Sequence, residues 1–193
     1  MPDHKDLTGV ELHEPKGIDT ALEHTVYEAD GAGSGNWVYA VGAVHGEMII
    51  ESNVTPEVVP TAVDGTLNTD SDYTKMITGW TAGHVHNMSF SSDELVVTID
   101  GSYEIHAWFN ILLPSNNQKV AVKYSINDTA PYSVRKLITN SSSAGDIISF
   151  AGSSFVLNLV AGDTISVYIA TDLAGDPTVQ EGGVMVKLID QTV

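Results

Sequence analysis

Gly101-Ser102-Tyr103-Glu104-Ile105-His106-Ala107-Trp108-Phe109-Asn110-Ile111-Leu112-Leu113 places Tyr103, Ile105, Ala107, Phe109, Ile111 and Leu113 on every second position. Successive side chains of a strand point to opposite faces, so this spacing predicts a β-strand with one wholly apolar face. Glu104, His106, Trp108, Asn110 and Leu112 take the other face. A face that mixes charge, imidazole, indole and leucine is not plainly solvent-exposed. Burial on both sides is the expectation, the second side being covered by a partner chain.

The same period recurs on both flanks of this strand. His84 to Phe90, Leu95 to Ile99, Lys119 to Ile126, Ser133 to Ile138, Asp146 to Phe150, Ser154 to Leu159, Thr164 to Thr171 and Val184 to Ile189 read as further strands. Val160-Ala161-Gly162-Asp163 makes a hairpin of two of them, with Gly162 suited to a positive φ. The intervening loops, 114–118, 127–131 and 140–145, are built from Asn, Asp, Ser, Gly and Pro, which make turns inexpensive. Many short strands at near-regular spacing predict an all-β sandwich or jelly roll over residues 62–193. With no internal repeat, a propeller or solenoid is not expected.

Upstream the pattern weakens. Residues 1–36 have no sustained period and cannot bury enough apolar surface to offset the entropy of ordering, so they are expected to form an anchoring arm ordered on another surface. Ile18 to His24 allows one or two helical turns at most, and Gly31, Gly33 and Gly35 mark a hinge or tight loop. Trp37 to Val41 and Glu47 to Ile50 suggest a hairpin, and Pro56 and Pro60 bracket an extended connector. Residues 37–61 are therefore expected to be short strands and a connector, with the main boundary near Thr61.

Composition narrows the partners. Eight basic against 25 acidic residues give a net charge of −17, which disfavours nucleic acid and anionic membrane. The sequence shows no secretory signal pattern and no run long and apolar enough to span a membrane, so a soluble protein is expected. There is no cysteine, hence no disulfide or thiolate site.

Gly101-Ser102-Tyr103-Glu104-Ile105, the hairpin Leu157-Asn158-Leu159-Val160-Ala161-Gly162-Asp163-Thr164-Ile165-Ser166-Val167 and the late Gly182-Gly183-Val184-Met185-Val186-Lys187-Leu188 resemble, in type and order, the tumour-necrosis-factor-like and complement globular-head jelly rolls. The resemblance covers roughly residues 62–193. It implies a homotrimer whose inner sheets pack about a threefold axis, with Glu104, His106, Trp108, Asn110, Leu112 and Tyr168 as interface residues. A second resemblance covers about a fifth of the chain. His4 to Gly9, Leu12 to Gly17 and Val26 to Trp37 look like the N-terminal region of small virion proteins of tailed bacteriophages. It implies a structural protein of the particle, made in the host cytoplasm. Such a protein would be a capsid decoration, cement or head-fibre protein anchored on the major capsid protein through His4, Lys5, Asp6, Leu7, Leu12, His13, Pro15 and Lys16. The alternative is a tail-fibre or tail-tip protein that binds a host surface glycan or protein.

Catalytic chemistry has little support. Gly-x-Ser-x-Gly is missing, the Gly31-x-Gly33-x-Gly35 spacing is not the dinucleotide fingerprint, and carboxylates are too abundant for any pair to indicate a glycosidase. No enzyme and no cofactor are expected. His84-Val85-His86 would put two imidazoles on one strand face, but no third ligand is identifiable and no metal is expected. Asn68 to Asp72 and Asp172 to Asp176 are acidic loops with calcium-type oxygens, read as turn residues. Trp37, Trp80 and Trp108 are read as packing residues rather than sugar platforms.

Overall fold

A computed structural model describes residues 25–29, 35–40, 43–62, 65–129 and 137–191. The chain divides into two compact units, Met1–Ala40 with Val193, and Val41–Thr192.

The described part of the first unit is an antiparallel hairpin of β1 (Thr25–Ala29) and β2 (Gly35–Tyr39). Tyr27 lies opposite Trp37, and their rings meet edge to face at 5.4 Å. Such a cross-strand aromatic pair is worth a few tenths to about 1 kcal/mol. This corrects two expectations. The segment before Trp37 is not irregular throughout, and Trp37 pairs backwards with Tyr27 rather than forwards with Glu47 to Ile50, because Thr25-Val26-Tyr27-Glu28-Ala29 itself alternates. The residues expected to anchor the arm, His4 to Lys16, and the helical turns expected at Ile18 to His24 lie outside the described residues.

The second unit is a sandwich of two antiparallel sheets. One has the order β11 (Asp146–Leu159), β8 (Gly101–Leu113), β13 (Thr178–Gln191), β3 (His45–Ile50), β5 (Trp80–His86). The other has the order β10 (Leu137–Asn140), β9 (Lys119–Ile126), β12 (Thr164–Thr171), β7 (Glu94–Val97), β6 (Met88–Ser91), with β4 (Thr74–Lys75) also pairing β12. The two expected strands Asp146 to Phe150 and Ser154 to Leu159 are one strand interrupted by a register shift between Ala151 and Ser153. The expected strand from His84 to Phe90 divides instead between β5 and β6, with Asn87 at positive φ between them.

The core fills the space between the sheets. Tyr103, Ile105, Ala107, Phe109, Ile111 and Leu113 of β8 are all buried, as their spacing predicts. They share the interior with Met48, Ile50, Val184 and Val186 from the same sheet, and with Leu95, Val122, Tyr124, Ile165, Val167 and Ile169 from the other. Each fully buried aliphatic or aromatic side chain contributes about 1.5–3 kcal/mol. β3 pairs with β13 on one side and β5 on the other. His45–Ile50 therefore belongs inside the sandwich, which begins at Val41 and not near Thr61.

Residues 52–62 then run as a strap. Asn53, Glu57 and Ala62 donate backbone N–H groups to Gln180, Pro177 and Thr171 carbonyls, and the buried Glu57 carboxylate accepts the Thr78 N–H at 2.8 Å. Pro56 and Pro60 fit this path because their neighbours make the hydrogen bonds that proline cannot.

Candidate interaction face

Alternation along β8 fixes what lies outside. With the odd positions in the core, Glu104, His106, Trp108, Asn110 and Leu112 stand on the outer face of the five-stranded sheet. Trp108 is 44% exposed, and Met185 on the neighbouring β13 is 43% exposed. Trp108 pairs with Gly183, whose missing side chain makes room for the indole: a Cβ there would stand 2.8 Å from Trp108 Nε1. Two hollows flank the ring. One, of about 360 Å³, is lined by Ile49, Glu51, Ser52 and Glu181 among others; the second, of about 220 Å³, lies against Glu47, His106 and Met185.

Polar groups on this face are organised. Ser149 Oγ donates to Asn110 Oδ1 at 2.7 Å and Asn110 Nδ2 donates to Glu181 Oε2 at 3.0 Å, a chain across β11, β8 and β13. His106 Nε2 stands 3.2 Å from Glu104 Oε1, an ion pair when the imidazole is protonated. The arrangement suits association: a half-exposed aromatic, shallow relief beside it, and oriented polar groups around it.

Tyr168 is elsewhere. It lies on β12 in the other sheet, where its hydroxyl donates to Asp128 Oδ1 at 3.2 Å. The expectation that it joins Glu104, His106, Trp108, Asn110 and Leu112 in one interface is corrected, because β8 and β12 belong to opposite layers of the sandwich. Burial, followed by the Asp128 charge, pushes its phenol pKa up. Lys75 bridges the same region, bonding Glu94 and, at 2.9 Å, Asp128. Burial pushes the Asp128 carboxyl up, but hydrogen bonds from Lys75 and Ser166 outweigh it and hold that carboxyl below its ordinary value.

The acidic loops serve the fold. Asp70 Oδ1 accepts from Lys123 Nζ at 2.7 Å, Asp172 Oδ1 from the Lys119 N–H at 2.6 Å, and Asp176 Oδ1 from the Val59 N–H at 3.1 Å. Trp80 is buried, edge to face with Phe109 at 6.2 Å, and its Nε1 donates to the Met76 carbonyl. Among the described residues, no group of three or more His, Asp or Glu side chains is arranged to hold a metal ion, and no helix is long and apolar enough to cross a membrane. One residue near the face escaped the sequence reading. His45 on β3 pairs with His86 across β5, and its Nε2 lies 2.6 Å from His84 Nδ1.

These layers and their strand order define a jelly-roll β-sandwich of the tumour-necrosis-factor-like type. The Eiger tumour-necrosis-factor domain of S. frugiperda superimposes with a TM-score of 0.50 at 14% identity, over 78% of this chain and 95% of that one. Murine APRIL, solved at pH 5.0, is 17% identical over 75% of this chain and 99% of its own, with a TM-score of 0.48. No protein-family model and no curated protein sequence matches the chain.

Proposed function

We propose that this protein is a non-catalytic, homotrimeric virion structural protein of a tailed bacteriophage. In this reading it is a capsid decoration, cement or head-fibre protein whose N-terminal arm docks on the major capsid protein while the jelly roll faces outward. The observation that carries the self-association is the outer face of the five-stranded sheet, where Trp108 and Met185 stand exposed beside two hollows. Large apolar groups left open in this way mark interaction surfaces. The virion assignment is supported by the resemblance of His4 to Gly9, Leu12 to Gly17 and Val26 to Trp37 to phage virion arms. Three arms on one trimer raise each other's effective concentration at a threefold lattice site, and a ligand that binds only the assembled shell stabilises it.

Light scattering on the purified chain and immunogold labelling of particles test the two halves of this reading. A trimer mass and label over the head surface are expected. A monomer overturns the self-association, label confined to the tail tip establishes the fibre alternative, and particles without label overturn the virion role.

A further inference from the structure

We propose that the hydrogen bond between His45 and His84 is a proton-limited latch, which fastens the edge strand β5 to β3 at neutral pH and releases it when both imidazoles are protonated in mild acid. The latch is independent of the virion and trimer readings.

Topology supplies the place for it. β5 ends the five-stranded sheet and pairs there with β3 alone. Its ladder is interrupted, because between Gly46 and Met48 the register shifts and both Gly83 and His84 of β5 stand opposite the single residue Glu47. Such a bulge leaves its extra residue unpaired and disrupts the backbone ladder locally. At this break side chains make the cross-strand bond instead: His84 Nδ1 lies 2.6 Å from His45 Nε2, with the ring planes within 10° of each other.

Counting protons sets the direction. A neutral imidazole has one N–H and one acceptor nitrogen, so of the two facing nitrogens one carries the hydrogen and the other the lone pair. Adding a proton to the donor ring leaves the bond intact. Adding one to each ring does not, since two N–H groups then point at one another and no acceptor remains.

The surrounding charges act in the same sense. His86 is the cross-strand partner of His45 on β5, with ring centroids 5.9 Å apart, and Lys187 is its partner on β13. Full protonation would align His86, His45 and Lys187 as cations across three adjacent strands, and like charges directly opposite one another destabilise a sheet. Glu47 opposes them, its Oε2 lying 3.4 Å from the His84 backbone nitrogen. Glu104 of β8, across from Lys187, has His106 as a partner of its own at 3.2 Å. β6 carries no titratable side chain, and Glu94 of β7 is bonded to Lys75. The latch borders the hollow against Glu47, His106 and Met185, so its release loosens one margin of the outer face.

Hydrogen–deuterium exchange of the full chain at about pH 7.5 and about pH 5, either side of the ordinary imidazole value, tests the latch. Protection factors are compared, so that the intrinsic pH dependence of amide exchange cancels. Residues 80–87 should lose protection in acid by roughly fivefold to tenfold, as for one lost hydrogen bond, while β8 and β13 keep theirs. His45→Gln and His84→Gln, whose new side chains do not titrate, should each abolish that pH dependence. Circular dichroism of both variants should match the parent, since neither side chain lies in the core. Imidazole ¹⁵N shifts of the parent near neutral pH should show one protonated and one lone-pair nitrogen at the pair. Equal protection at the two pH values, or a parent-like loss in acid in either variant, overturns the latch. Two protonated facing nitrogens at neutral pH overturn the hydrogen bond on which it rests.

Discussion

The Trp108 indole occupies the space that a side chain at Gly183 would fill, 2.8 Å from where its Cβ would stand. One glycine thereby holds the most exposed aromatic of β8 across its neighbour β13, at the centre of a face with polar groups around it. Aromatic residues anchored in this way carry a disproportionate share of binding energy in interfaces.

If the proposed trimer forms through this face, Trp108→Glu should dissociate it into folded monomers, measured by sedimentation equilibrium with circular dichroism as the folding control. A weakening of at least tenfold is expected, from the lost aromatic contact and three like charges brought together. Gly183→Val should act in the same direction by expelling the indole. Persistence of the trimer in both variants would show that this face is not the one that associates.

Lys123 offers a test of packing energetics. The residue is 1% exposed, with its ammonium group bonded to Asp70 at 2.7 Å and placed 4.2 Å from the centre of the Tyr73 ring. Removing one partner of such a pair leaves a buried charge uncompensated. Asp70→Asn should cost about 2 kcal/mol, less than a fully buried pair because the carboxylate is partly solvated. Lys123→Met, which removes the charge and keeps the volume, should cost less. Urea unfolding compares them, and a larger loss in Lys123→Met would mean that the pair stabilises outright.

Two carboxyls should pull stability in opposite directions with pH. Burial, against hydrogen bonds from Thr78, pushes the Glu57 carboxyl above its ordinary 4.5. Its contribution is full below that value and is lost as pH rises through the folded-state value. Hydrogen bonds from Ser143 and Ser142 hold the exposed Asp146 carboxyl below its ordinary 3.8, so its contribution is present above that value and disappears as pH falls through the lowered one. Glu57→Gln should raise the urea midpoint at pH 7 more than at pH 4. Asp146→Asn should lower it at pH 7 and change it little at the acid end. The reverse ordering in either variant would contradict the assigned cause.

Removal of residues 1–40 tests the arm. On the proposed function, the second unit should remain folded and trimeric, while binding to stripped particles is lost. If the truncated protein still decorates particles, the jelly roll itself makes the contact. If it becomes monomeric, the first unit belongs to the oligomer.

How far the sequence discloses this molecule depends on the range of the interaction. β8 was readable because alternation is local, and the identity of its two faces followed at once. Gly162 was equally clear, with φ at +96° in the turn between β11 and β12. β3 was readable as a strand from Glu47 to Ile50, but not as a member of this sheet, because it pairs with residues 182–187, far along the chain. Tyr168 shows the same limit: alternation gives its face within β12, but not which layer β12 joins. His84 and His86 could be singled out on one strand, whereas His45 required a cross-strand register and an extra residue in β5, neither of which leaves a mark in residue order. A histidine near the start of an alternating segment, His45 before Glu47 and Ile49, was the only available signal.

The order of strands has a consequence for biosynthesis. β13 sits between β8 and β3 and contributes Val184, Val186 and Leu188 to the interior, yet it follows both of them in the chain. Until it is in place β8 and β3 have no common neighbour, and their apolar faces stay open. Folding of the jelly roll is thus governed by long-range closure, slower than in a helical protein of this size. That delay makes the unfinished sheet edge the point where chaperones or aggregation would act.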